Sequence, residues 1–167
     1  GWEYKAVSLN TLEKNSKILD KINKNIISKS IDNALLWGNT KLNLSGDYIT
    51  RIPLSILEDN KYSNFWKNLT YLNCKDCLIS ELNLTGLTAL TELNCSGNQI
   101  VKLNIRDSTA LQYLACFHNE LVILDLDGFK NLECLWCHSN QIIFLSVKGA
   151  SGLKKLQLHN NPIESLN

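Results

Sequence analysis

The sequence predicts an α/β solenoid, with stacked parallel strands on a concave side and a helical segment covering the N-terminal end. Three observations lead to this prediction. Leucines recur at a strict 21-residue spacing from residue 69 onward. Within each repeat, apolar and polar positions alternate as they do in a half-buried strand. Residues 1–38 lack the repeat, and their apolar positions follow helical spacing instead.

Five consecutive copies share the pattern L-x-x-L-x-C-x-x-N-x-I-x-x-L-x-L, followed by five variable residues. The copies begin at Leu69, Leu90, Leu111, Leu132 and Leu153. One copy alone cannot bury its apolar face, whereas stacked copies share one continuous core. The period therefore predicts a solenoid in which equivalent residues of successive repeats form columns.

This pattern resembles the leucine-rich repeat in its 21-residue bacterial form. Cysteine at the sixth position followed by N-x-I is most similar to repeats of Bacteroides-type surface proteins. The resemblance covers residues 69–167. It implies a right-handed, curved leucine-rich repeat solenoid whose concave parallel β-sheet holds a protein or peptide. It also implies a place at the bacterial surface or in the periplasm, in an adhesion-type protein.

The chain divides into three regions. Residues 1–38 form the helical N-terminal cap, in which Gly38 suits the helix C-terminus. Residues 39–68 carry a degenerate first repeat with a nine-residue excess, where Pro53 predicts the start of a short helix. Residues 69–167 hold the five regular repeats, the last one incomplete. No polar cap follows Asn167, so we expect either further chain or a covered end. The predicted helical stripe consists of Leu12, Leu19, Ile22, Ile26 and Ile27.

Two columns point inward in this register. The first is an asparagine ladder whose amides satisfy backbone groups at the turns, and Cys77 interrupts it. The second is a column of cysteines, which we interpret as small buried hydrophobic residues because parallel Cβ vectors leave them outside disulfide geometry. The ladder residues are Asn98, Asn119, Asn140 and Asn161, and the cysteines are Cys74, Cys95, Cys116 and Cys137.

The third, fifth, seventh and eighth positions of each repeat are predicted to project from the concave face. In the middle repeats these positions are aromatic, with a polar surround, which is typical of a protein-binding hot spot. The same aromatic residues could instead pair across strands and only stabilise the sheet. The candidate ligand-binding residues are Tyr71, Tyr113, Phe117, His118, Trp136, His138 and His159.

The stretch "CLWCH" matches the attachment signature of a c-type haem, with Cys134, Cys137 and His138 in the required places. On a strand, however, residues three apart point to opposite faces, so Cys134 is expected on the concave surface and Cys137 in the core. The two C-x-x-C pairs also lie about 14 Å apart at strand spacing, too far for one zinc ion. We therefore expect no haem, no structural zinc and no other cofactor.

A metal site or a catalytic site on the concave face is the less favoured alternative. His138 and His159 occupy neighbouring strands and could hold a metal, while His118 with Cys134 is the only conceivable catalytic dyad. The chain contains no nucleophile elbow, phosphate loop or suitably spaced pair of carboxylates, so we expect no enzyme.

Charge and composition limit the partners. The net charge is +1, and no basic stripe follows the repeats, which disfavours nucleic acid. No apolar run approaches the about 20 residues that span a bilayer. The expected partner is a protein or peptide. Six cysteines without a disulfide pattern favour a reducing compartment, so the alternative function is an effector that targets a host protein.

Overall fold

The predicted solenoid is confirmed by a computed structural model, which describes the backbone of residues 2–167 and the side chains of residues 14–167. Helix α1 (Trp2–Leu36) precedes the repeats, and short helices α2 (Leu54–Leu57) and α3 (Ser63–Asn68) follow the first strand. The strands are β1 (Lys41–Asn43), β2 (Tyr71–Asn73), β3 (Glu81–Asn83), β4 (Glu92–Asn94), β5 (Lys102–Asn104), β6 (Tyr113–Ala115), β7 (Ile123–Asp125), β8 (Cys134–Trp136), β9 (Phe144–Ser146), β10 (Lys155–Gln157) and β11 (Ser165–Leu166).

The first half of every repeat contributes one strand to a six-stranded parallel sheet in the order β1-β2-β4-β6-β8-β10. Its register follows the repeat without slippage, so that Leu72 pairs with Leu93 and Leu114 pairs with Leu135. This sheet is the concave face of the solenoid. Equivalent side chains therefore stand side by side on neighbouring strands, about 4.8 Å apart.

The second half of each regular repeat is also extended, which agrees with its period-two alternation. Strands β3 and β5 form one small parallel sheet, and β7, β9 and β11 form another. Leu82, Leu124 and Leu145 point from these strands into the core that lies between the two sides. The solenoid therefore has strands on both sides, with the apolar positions of each side meeting in the middle.

Helix α1 covers the end of this core with only part of the predicted stripe, because Ile27 is buried and Ile26 packs partly buried against the core. The side chain of Leu12 lies outside the described residues. Leu19 and Ile22 were predicted to pack and are instead 42% and 47% exposed. The buried positions are Asn23, Ile27, Ile31 and Ala34.

Polar contacts determine which face of α1 turns inward. The Asn23 amide donates to Thr50 Oγ1 (2.9 Å) and accepts from the Thr50 backbone N–H (3.1 Å). Arg51 donates to Asp20 at 2.6 Å and also to the Ser16 hydroxyl. These partners lie on the first repeat, so periodicity within the helix could not reveal them.

The C-terminal end of α1 follows the prediction at Gly38. The Gly38 N–H donates to the Leu35 carbonyl (3.0 Å), and the Asn39 N–H donates to the Ala34 carbonyl (2.8 Å). This is a Schellman motif, which requires a left-handed residue at its centre. Gly38 has φ +62° and adopts that conformation without a Cβ penalty.

The nine-residue excess in the first repeat forms α2 and α3. Pro53 is the N-cap of α2, as predicted. The excess contributes Ile56, Phe65 and Trp66 to the core, and the Trp66 indole donates to the Ile56 carbonyl at 3.1 Å. The insertion is therefore an additional apolar layer against α1 and not a loose loop.

The structure places the four ladder asparagines in one column at the turn after each concave strand. In Asn119, the amide nitrogen donates to the carbonyls of Cys95 and Cys116, both at 3.0 Å, and the amide oxygen accepts from the Ile100 N–H at 2.9 Å. Each amide thus joins its own repeat to the preceding one. The same pattern recurs at Asn98, Asn140 and Asn161.

Cys77 occupies the ladder position in the first regular repeat. Its thiol takes over the donor role of the asparagine amide but not the acceptor role. Its thiol donates to the Leu44 carbonyl at 3.0 Å, which is the donor role of the missing amide. The acceptor role is not replaced, because the Ile49 N–H has no hydrogen-bond partner within the described part of the chain. One buried turn is therefore less well satisfied than the others.

We expect Cys77→Asn to stabilise the protein, because the amide oxygen would accept from the Ile49 N–H as in the other repeats. The expected gain in the free energy of unfolding is about 1 kcal/mol, the net value of one buried hydrogen bond. Urea unfolding followed by far-ultraviolet circular dichroism measures it. Cys77→Ser serves as the control, since a hydroxyl keeps the donor without reaching Ile49. An equal gain in both variants would contradict the explanation.

The cysteine column lies in the core, and all six cysteines of the chain are free and buried. Burial raises the pKa of Cys95 and Cys116 well above the ordinary value, with the next thiol in the column adding to the effect. Burial raises the pKa of Cys137 to about 11. These thiols are neutral and occupy space between the repeats, where a small side chain lets adjacent coils pack closely.

Candidate functional site

The concave face is built by short strands that turn sharply after their sixth repeat position. Tyr71, Tyr113 and Trp136 lie on strands β2, β6 and β8. The seventh repeat position follows each strand, and it places Phe117, His138 and His159 in neighbouring repeats. The residue types at the seventh position of these three repeats therefore produce one column of aromatic rings.

The rings of this column are stacked. The Phe117 and His138 ring centroids are 4.6 Å apart with an interplanar angle of 11°. The His138 and His159 centroids are 4.5 Å apart at 6°. These separations are at the short end of the range for favourable aromatic pairs. We call Phe117, His138 and His159 the ring column.

His118 joins the ring column from the eighth position. Its ring lies edge-on to His138, with centroids 5.4 Å apart and an interplanar angle of 84°. The backbone explains the change in direction, because His118 has φ +53° and is left-handed. The eighth position is left-handed in every repeat, at Gly46, Asp76, Gly97, His118, Ser139 and Asn160.

The other predicted ligand-binding residues lie apart from the ring column. Tyr113 is 36% exposed and Trp136 is half-buried on adjacent strands, and neither ring stacks on the column. Tyr71 lies two strands from Tyr113, with Glu92 between them, and its ring meets the Lys41 ammonium at 5.8 Å. The structure thus brings four of the seven predicted residues into mutual contact, and their role in binding stays a prediction.

The prediction that Cys134 is exposed on the concave surface was wrong. Cys134 is 5% exposed, although it occupies an outward-facing strand position. Its neighbours in register are Tyr113 and Lys155, whose long side chains flank a small one. Ala115 and Ser96 are buried on the same face. The exposure of a side chain on this face therefore depends on its size relative to its neighbours, as well as on the direction in which the strand position points.

The buried Cys134 bears on the alternative chemistries. No hydrogen bond joins Cys134 to His118 among the described residues, so the dyad considered from the sequence is not assembled. The stacked imidazoles of His138 and His159 lie in nearly parallel planes, so their in-plane lone pairs do not converge on one point. A zinc ion needs ring nitrogens that converge at about 2.0 Å.

His138 has an altered proton affinity because of its position in the middle of the column. Burial lowers the pKa of His138, and the neighbouring His159 and His118 lower it further. Its Nδ1 lies 3.3 Å from the Ser139 hydroxyl. At neutral pH the ring is therefore uncharged, which is compatible with close stacking on Phe117 and His159.

We expect the free energy of unfolding to fall as pH decreases through about 6.5, the ordinary pKa of histidine. A histidine with a lowered pKa in the folded state binds fewer protons there than in the unfolded chain, so acid favours unfolding. His138→Gln should show a smaller fall between about pH 7.5 and about pH 5.5. Urea unfolding at the two pH values measures it, and equal falls in both proteins would refute the expectation.

A second recess, not anticipated from the sequence, lies on the side opposite the concave sheet. It has a volume of about 990 Å³ and extends from α2 across β3 and β5 to the start of β7. Exposed apolar residues line it, among them Leu54, Val101, Val122 and Ile123. The signal available in the sequence was the twelfth repeat position, which is Val101, Val122 and Ile143 in successive copies.

Comparison with known proteins supports the fold. No family model and no curated protein matches the chain. Among solved structures, the chain is similar to YopM, a leucine-rich effector protein from Yersinia pestis, with a TM-score of 0.69 and 18% identity over 86% of this chain and 37% of that one. It is also similar to a leucine-rich repeat protein of Leptospira interrogans, with a TM-score of 0.61 and 21% identity over 75% of this chain and 36% of that one.

These similarities show that the chain has the leucine-rich repeat fold. The chain spans little more than a third of the length of either neighbour. In the part of the chain that the structure describes, no helix is long and apolar enough to cross a membrane.

Proposed function

We propose that the protein is a non-enzymatic interaction module that binds a protein or peptide through its concave face. The observation that carries the proposal is the ring column, together with Tyr113 and Trp136 on the adjacent strand positions. Aromatic residues grouped on a partly exposed surface, with few charges, are typical of binding hot spots. The leucine-rich repeat fold supports it, since a curved solenoid presents an extended concave surface.

Cross-strand packing alone explains only part of this surface. Stacking stabilises Phe117 against His138, and that contribution needs no ligand. Tyr113 is exposed and Trp136 is half-buried, and neither stacks on the ring column. Large, rigid side chains that remain accessible in this way offer contact area at little cost in conformational entropy.

The test compares capture of partners by immobilised variants. We expect Trp136→Ala to leave the fold intact and to weaken partner binding at least about tenfold, as for a hot-spot residue. Tyr48→Ala is the matched control, because Tyr48 is 83% exposed but lies beyond the concave strands. Binding that survives Trp136→Ala and Phe117→Ala unchanged, or that Tyr48→Ala abolishes, would overturn the concave-face assignment.

For the cellular setting, we propose the bacterial surface or periplasm, in an adhesion-type protein. The support is the resemblance of the repeats to those of Bacteroides-type surface proteins. The second candidate is an effector that targets a host protein, and the description of YopM as an effector favours it. The cysteines do not distinguish the two, because buried neutral thiols such as Cys95 and Cys116 are inert in either compartment.

The start of the native gene separates the two settings. A secretory signal peptide or lipobox would support the surface assignment, and cell fractionation with an antibody to the solenoid would then find the protein in the envelope. Delivery of a tagged protein into host cells would support the effector assignment instead.

A further inference from the structure

The charges of the concave face are distributed unevenly. All three histidines of the chain lie in the last three repeats, and every one of them is on this face. The outward positions of these repeats include no carboxylate, and Lys155 is their one permanent charge. Those positions are Tyr113, Ala115, Phe117, His118, Cys134, Trp136, His138, Ser139, Lys155, Gln157, His159 and Asn160.

The titratable groups around His138 are few, and none of them neutralises it. On the β6 side it faces His118, with Tyr113 further along the strand. On the β10 side it faces His159, with Lys155 further along. Cys134 on its own strand is buried.

Carboxylates lie at the margins of this surface, and exposed Glu120 follows His118 by two residues. Glu133 is paired with Lys154 at 3.0 Å, one position before the strand. Asp76 is paired with Lys75 at 3.6 Å, two repeats away. Glu92 lies on β4, beyond Tyr113. The surface formed by the last three repeats is therefore electropositive whenever an imidazole is protonated.

The geometry of the ring column leaves hydrogen-bonding ring edges available to a ligand. Parallel stacking occupies the ring faces and leaves the ring edges for a ligand. Aromatic edges carry positive partial charge, and each neutral imidazole also has one N–H donor. A neutral imidazole also has one acceptor nitrogen, whereas a protonated one has two N–H donors and no acceptor, so protonation makes these edges selective for carbonyl and carboxylate oxygens.

We propose, building on concave-face binding, that the last three repeats hold an acidic, Asp- or Glu-rich segment of the partner, and hold it more tightly as pH falls. Charge complementarity selects this occupant, because the surface has no carboxylate to repel it. A carboxylate beside His138 favours the charged imidazole, opposing the effects of burial and of the neighbouring histidines that lower its pKa. Binding therefore takes up protons, and linkage requires affinity to rise with acidity.

The experiment uses a fluorescently labelled oligo-aspartate peptide as the probe, with oligolysine and a Gly-Ser peptide of equal length for comparison. Oligo-aspartate stays ionised at about pH 5.5, so the protein supplies the titrating groups. We expect oligo-aspartate to bind in fluorescence anisotropy, with affinity rising at least about tenfold from about pH 7.5 to about pH 5.5. The double variant with His138→Gln and His159→Gln should lose this increase.

Lys148→Gln is the matched control, because it removes an exposed positive charge outside the concave positions. Nuclear magnetic resonance of the imidazole protons supplies a readout that does not depend on a variant's folding: oligo-aspartate should move the titration midpoint of His138 upward. The proposal is overturned by tighter binding of oligolysine, by an affinity that does not depend on pH, by no binding of oligo-aspartate, or by an increase that persists in the double variant.

Failure here is distinguishable from failure of the proposed function. Partner capture that depends on Trp136 at about pH 7.5, together with no preference for acidic peptides, would retain concave-face binding and reject the acidic partner. Loss of both would reject the two proposals together.

Discussion

Asn119→Ala should lower the free energy of unfolding by about 3 kcal/mol, because a buried amide that makes several hydrogen bonds would be lost. The substitution leaves the Ile100 N–H without a partner in the interior. The carbonyls of Cys95 and Cys116 each lose one of two donors and keep only the bonds from Asn98 and Asn140. Asn119 is 7% exposed, so water cannot easily replace the amide. Urea unfolding followed by circular dichroism measures the change.

Asn131→Ala is the control for this prediction. Asn131 is exposed and makes one long hydrogen bond, at 3.5 Å, to the Thr109 carbonyl. Its replacement should change the free energy of unfolding by less than about 0.5 kcal/mol, as is usual for surface positions. Similar losses in the two variants would show that the column contributes nothing beyond asparagine's general preference for turns.

Ile27→Ala should lower the free energy of unfolding by about 3 kcal/mol, the usual effect of truncating a fully buried isoleucine. Ile27 is 0% exposed and packs with Ile31 where α1 covers the first repeat. The cavity would weaken the contact of α1 with the solenoid. Hydrogen exchange should then show faster exchange of the backbone amides in β1.

Ile22→Ala supplies the control, and it discriminates the structure from the helical stripe expected from the sequence. Ile22 belongs to the predicted stripe but is 47% exposed, so its truncation should change the free energy of unfolding by less than about 1 kcal/mol. Equal losses at residues 22 and 27 would contradict the observed orientation of α1, in which Ile27 is buried and Ile22 is exposed.

Much of the fold is predictable because a repeat leaves little freedom. With leucines at a constant 21-residue spacing, each residue's neighbours in space are the residues one repeat before and after it. Strand register, the asparagine column and the inward cysteines follow from that relation. The choice of which face of α1 is buried does not follow from it. That choice depends on the contacts of Asn23 with Thr50 and of Asp20 with Arg51, and α1 lies outside the repeated sequence.

The positions of the residues in the candidate site were predictable from the sequence, whereas the contacts between their side chains were less predictable. The register placed Phe117, His138 and His159 in one column. It could not show that their rings stack at 4.5–4.6 Å, because ring orientation depends on side-chain rotamers. It also misjudged Cys134, whose exposure depends on the sizes of Tyr113 and Lys155.

The sequence by itself determined the solenoid, its period and the face on which the aromatic residues lie, because a repeated pattern translates directly into stacked strands. Only the tertiary structure decided which face of α1 is buried, how Cys77 is accommodated, and which rings touch. Those outcomes depend on packing and on hydrogen bonds between segments far apart in the chain, where local periodicity carries no information.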